Sequence, residues 1–140
     1  MRTILLIAAV LAGVSSATGT DSWCTCSLMV NYENMIVMVY KFPEEDLSTC
    51  TDDDTCKLKC RNVIETQTNT IDLWGLDPHG HTVGSHICEF LYDTEKIPFV
   101  FNKIVHGYYQ VCGGPWVYTD QDSEDMLCCD LGIHEHCTGK

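Results

Sequence analysis

Residues 51–66, TDDDTCKLKCRNVIET, and residues 23–28, WCTCSL, carry four of the ten cysteines of this 140-residue chain. In the longer stretch Cys56, Cys60, Val63 and Ile64 recur at i, i+4, i+7 and i+8, the spacing of one helical face. Thr51, or an aspartate after it, supplies a cap. Asp52, Asp53 and Asp54 then lie near the positive end of the helix dipole, which accounts for the acidic run without a calcium ion. Asp53 and Lys57 are expected to pair at i,i+4. The pattern predicts a helix over 51–66 with Cys56 and Cys60 facing inward. In the shorter stretch Cys24 and Cys26 alternate, which places both sulfurs on one face of a strand.

These spacings match. Residues i and i+4 of a helix are about 6 Å apart along the axis, and residues i and i+2 of a strand nearly 7 Å apart, as a rough figure. A helix lying along a strand therefore joins Cys24 and Cys26 to Cys56 and Cys60 by two parallel disulfides, with the individual pairing left open. The arrangement resembles that of cystine-stabilised α/β peptides such as defensins, over these four cysteines only. There the C-x-C follows the helix, and here it precedes it.

The remaining cysteines are Cys50, Cys88, Cys112, Cys128, Cys129 and Cys137. An even total, none before position 24, points to an oxidising compartment and full pairing. Adjacent Cys128 and Cys129 point in opposite directions on extended backbone, so they are expected to bridge to different elements and tie the C-terminus down.

Arg2, the apolar run 4–14 and the small residues Ser15, Ser16 and Ala17 read as a signal peptide, cleaved after Ala17 or alternatively after Gly19. The run is too short to span a membrane, which takes about 20 residues. Residues 18–140 then form a single disulfide-stapled domain. Removal of 1–17 takes away only Arg2 among the charged residues, leaving seven basic against twenty acidic ones and a formal charge of −13. Nucleic acid is excluded as a partner on charge. No Asn-x-Ser/Thr sequon occurs.

The expected fold class is α+β: a small disulfide-rich secreted domain, one main helix packed on several antiparallel strands. Residues 34–40, NMIVMVY, are apolar on both faces and read as a central strand. Residues 85–92 and the region after Thr82 read as β-rich. Residues 97–105, IPFVFNKIV, read as one strand, paired with residues 107–112.

Candidate chemistry is sparse. His79, His81 and His86 cluster, and His134 and His136 flank Glu135. The cysteines are committed to disulfides, and histidines in a turn are ordinarily solvent-exposed, so no metal and no cofactor is expected. Residues 120–125, DQDSED, depart from an EF-hand loop, with Asp125 in place of glycine and Leu131 in place of the final glutamate, leaving calcium as a weak partner only. Cys112-Gly113-Gly114, then Cys128-Cys129, then His134-Glu135 is similar to the calcium loop and catalytic helix of small secreted phospholipases. That resemblance implies that His134 activates water and Glu135 holds calcium. Four residues separate Cys129 from His134 where that family has two, and Glu replaces Asp. Ser85 lacks the glycine pattern of a nucleophile elbow. Tyr108, Tyr109, Trp116 and Tyr118 form the one concentrated aromatic group, the residue types that dominate contact surfaces. The reading is a non-enzymatic secreted protein with no catalytic residue, binding an extracellular protein or carbohydrate through those four aromatics. An acidic calcium-associated matrix protein and a divergent calcium-dependent phospholipase are the alternatives.

Overall fold

The computed structural model describes residues 21–138. The signal peptide expected at 1–17 lies outside them. The chain runs β1 (Trp23–Tyr32), β2 (Met35–Lys41), β3 (Glu45–Asp46), α1 (Asp53–Thr68), α2 (Val83–Asp93), β4 (Phe99–Lys103), β5 (Val105–Val111), β6 (Trp116–Asp122), β7 (Leu127–Asp130) and β8 (Ile133–Glu135). One sheet has the order β2-β1-β5-β6, with β3 also pairing β1, and a second has the order β4-β7-β8. All the pairings are antiparallel. This is the expected disulfide-rich α+β domain, with a second helix added.

β1 is the central strand. Residues 24–30 are buried without interruption, so both of its faces are covered. Cys24, Cys26, Leu28 and Val30 face α1, and two disulfides fix that contact: Cys24–Cys56 and Cys26–Cys60, with Cα separations of 5.5 and 5.2 Å. The paired-bridge expectation is met. The helix begins two residues later than read, capped by Asp52, whose side chain accepts from the Thr55 N–H. It closes at Asn69 in the left-handed conformation. Its buried stripe is Cys56, Cys60, Ile64 and Thr68, while Val63 is half-buried. Lys57 pairs with Asp120 at 2.8 Å rather than with Asp53, because β6 brings a carboxylate closer than the helix does.

Three expectations are corrected. The strand read at 34–40 is β2, and it lies at the sheet edge; Met35 and Ile36 are 59% and 58% exposed. The apolar residues on its second face are not covered, so a fully apolar run did not require a central position. Residues 83–93 are helical. Gly84, Ile87, Cys88 and Leu91 are the buried residues, at i, i+3, i+4 and i+7, and the Thr82 hydroxyl caps the helix by accepting from the Ser85 N–H at 2.9 Å. Residues 97–105 divide between the sheets. β4 pairs with β7 through Lys103, across a register shift between Val100 and Lys103 where Asn102 has φ 55°, and β5 pairs with β1 and β6.

The other disulfides join Cys50 to Cys112, Cys88 on α2 to Cys129 on β7, and Cys128 to Cys137. Cys128 and Cys129 thus go to different elements, as expected. Cysteine pairing of this density marks an extracellular or secreted protein. Among the described residues no helix is long and apolar enough to cross a membrane.

The bridges differ in the loop they close: 62 residues apart for Cys50–Cys112 and 9 for Cys128–Cys137. On loop-closure entropy the first contributes about 4 kcal/mol and the second about 2.5 kcal/mol. Paired Cys→Ala substitution is expected to lower the unfolding midpoint more for Cys50/Cys112 than for Cys128/Cys137, measured by thermal denaturation of both variants.

Candidate functional site

With α1 and α2 packed on one face of the large sheet, the residues alternating with Cys24, Cys26 and Leu28 point the other way. The register sets them in rows: Ser27 between Lys41 and Tyr108, which pairs with Tyr118; Met29 between Met38 and His106, which pairs with Asp122; and Thr25 beside Gln110, which pairs with Trp116. Thr25 and Ser27 are buried although they are short and lie on the outer face, and the Ser27 hydroxyl has no hydrogen-bond partner. Tyr108 and Trp116 are half-buried, and Tyr118 is 36% exposed.

The aromatic group is held in place. The Tyr108 and Tyr118 ring centroids are 5.9 Å apart, and His106 meets Tyr118 edge-on at 5.8 Å. The Tyr118 hydroxyl donates to Asp122 Oδ1 at 2.6 Å, and His106 Nδ1 lies 2.5 Å from the same oxygen. The hydrogen bond to Asp122 pushes the Tyr118 hydroxyl up to about 12. Burial opposes charge on Asp122, but the bonds from Tyr118 and His106 outweigh it and hold the carboxyl below its usual range. Tyr109 is the exception among the four aromatics. It pairs with Cys26, turns toward α1 and is 6% exposed, so it belongs to the core and not to this surface.

A second constellation sits where the loop before α2 meets the helix. Asp77 Oδ1 accepts from the His79 and His81 N–H groups, both at 2.8 Å, and Oδ2 faces His86 Nε2 at 2.6 Å. The His86 hydrogen bond, then the His81 N–H, hold the Asp77 carboxyl at about 2. The His81 and His86 rings are 5.6 Å apart. His79 contributes only its backbone. Asp77 and His86 also line a cavity of about 380 Å³ whose walls are mainly Leu28, Tyr40, Phe42, Val83 and Ile87.

Of the C-terminal histidines, expected to be solvent-exposed, His134 is half-buried and His136 stays exposed. Trp74 stacks on both His134 and His136, with centroids at 3.9 and 4.0 Å. His134 Nδ1 lies 3.0 Å from the Thr82 hydroxyl, and its Nε2 is buried without a partner. Burial, and then the His136 charge, depress its pKa. Gly84 makes this possible, since a Cβ there would collide with the His134 ring. Cys128, Cys129 and His134 stand on strands β7 and β8, not on one helix, so the phospholipase-like order does not assemble that family's geometry. Ser85 Oγ bonds to the Thr82 hydroxyl, which stands between it and His134. In 120–125, Asp120 binds Lys57 and Asp122 binds Tyr118 and His106, while Asp122, Glu124 and Asp125 border a depression with Asp72.

Neither protein-family models, nor curated proteins, nor solved structures give a match to this chain.

Two outcomes are expected. His134 is disfavoured as a cation in the fold, so its contribution is complete above the unfolded value of about 6.5 and is lost as pH falls through the lower folded value. The protection of β8 amides, measured against their intrinsic exchange rates, should therefore fall in mild acid, and His134→Gln should abolish that dependence. Gly84→Ala should cost about 1–3 kcal/mol, the range for overpacking a filled site, measured by denaturant unfolding.

Proposed function

We propose that the protein is a secreted, non-catalytic binding protein whose contact surface is the outer face of the large sheet, centred on Tyr108, Trp116 and Tyr118. The observation that supports this reading is the row of accessible aromatics, fixed by the Asp122–Tyr118–His106 bonds, on a face that carries neither helix. Rigid aromatics lose little entropy when a partner covers them and supply a large share of contact energy. The face continues through Met38 to exposed Ile36, so aliphatic and aromatic residues share one broad surface rather than a sugar-sized cleft. That favours a protein partner over a carbohydrate. An exported chain with a formal charge of −13 stays soluble while presenting such a surface.

The test compares variants on the disulfide-intact protein. Tyr108→Ala/Trp116→Ala should weaken retention of the partner from the extracellular fluid of the source tissue by about a hundredfold, in line with the loss of two contact-centre aromatics. Leu58→Ala, at an exposed apolar residue of α1, should leave retention unchanged. Equal loss in both variants, or loss in neither, contradicts the assignment of this face. Retention by a glycan array that Trp116→Ala abolishes would move the partner to carbohydrate.

A further inference from the structure

We propose that Asp77, His81 and His86 form a binding site for a divalent transition-metal ion of the zinc, copper or nickel type. Their donor atoms lie within 4.8 Å of one another. A tetrahedral ion with bonds of about 2.0–2.1 Å holds its donors roughly 3.3 Å apart, so modest side-chain rotation closes the three onto one centre. The shortest separation, 2.6 Å between Asp77 Oδ2 and His86 Nε2, is that of a shared proton. An arriving cation takes the place of that proton, and the two donors move apart to accommodate it.

The surroundings are built as ligand support. The Leu76–Thr82 bridge closes the loop, and within it the Asp77 N–H donates to the His81 carbonyl at 2.8 Å. Asp77 and His81 are thereby held opposite each other at the base of a turn through Gly80, whose φ of +84° suits glycine. His86 stands in the first turns of α2, anchored by the Thr82 cap. The two backbone N–H groups on Asp77 Oδ1 orient the carboxylate and leave Oδ2 for a ligand, the outer-shell arrangement that tunes metal sites. Two imidazoles and one carboxylate suit zinc, copper and nickel better than calcium, which takes oxygen donors. With every cysteine in a disulfide, no thiolate competes for the ion. Three protein ligands leave a coordination position unfilled. Asp77 and His86 border the apolar cavity, so an additional ligand reaches the ion from that side. This site is separate from the aromatic sheet face and does not depend on it.

The experiment is calorimetric titration of the disulfide-intact protein with zinc chloride, alongside imidazole ¹⁵N spectra of the wild type. One ion per chain with micromolar affinity is expected, with the Nε2 signal of His86 and one ring nitrogen of His81 shifting together. His81→Ala, His86→Ala and Asp77→Asn should each weaken binding by at least about tenfold, the scale on which even outer-shell losses act. Asn at 77 keeps the acceptor for the two N–H groups, so that variant tests the ligand without opening the turn. His79→Ala should bind as wild type. Failure to bind at millimolar zinc, imidazole shifts confined to His134 and His136, or unaltered binding by His86→Ala would each overturn the proposal. The wild-type spectra decide the matter even if a variant does not fold.

Discussion

The double bridge between β1 and α1 is the constraint on which the rest of the architecture depends. A helix advances about 6 Å in four residues and a strand nearly 7 Å in two. Cys24–Cys56 and Cys26–Cys60 use that near-match to fix the helix along the strand in both position and direction. One bridge would leave the helix able to pivot; two do not. All four sulfur-bearing residues are wholly buried, and Ile64, one turn on, packs so closely over the sheet that a Cβ at Gly107 would come within 2.9 Å of its side chain.

Fixing α1 on one face commits the alternation of every paired strand, because side chains in a sheet have a period of two and a one-residue slip exchanges the faces. Cys26 inward makes Tyr109 inward, and Ser27 outward makes Tyr108 and Tyr118 outward. The proposed contact surface is thus a consequence of where the disulfides place the helix. Its polar network adds rigidity to that placement: Asp122 accepts from Tyr118 and is approached by His106 on the neighbouring strand, which limits the rotamers of the most exposed ring of that surface.

Much of this was legible in the sequence where the signal is local. Helical spacing at Cys56, Cys60 and Ile64, alternation at Cys24 and Cys26, and opposed Cys128 and Cys129 all carry their geometry in their numbering. The second helix was harder. Val83, Gly84 and Ser85 are weak helix formers, and Ile87 with Phe90 drew attention from the true period through Gly84, Ile87, Cys88 and Leu91. The division of 97–105 between two sheets has no proline or glycine at the break; tertiary pairing of Val105 with Val30 sets it. Tyr109 could be separated from Tyr108 only once the register was known. The turn and its clustered histidines were legible, but the place of the Asp77 carboxylate against His86 depends on closure of the Leu76–Thr82 loop onto α2, and the Trp74 stack depends on β8 folding back, which has no local sequence signature.

The most direct measurement is hydroxyl-radical footprinting of the native, disulfide-intact protein, read residue by residue by mass spectrometry. If the double bridge sets one sheet face under α1 and turns Tyr108, Trp116 and Tyr118 to the other, those three will be oxidised while Tyr109 is protected. Comparable oxidation of Tyr108 and Tyr109, or protection of all four aromatics, would contradict that division of the sheet.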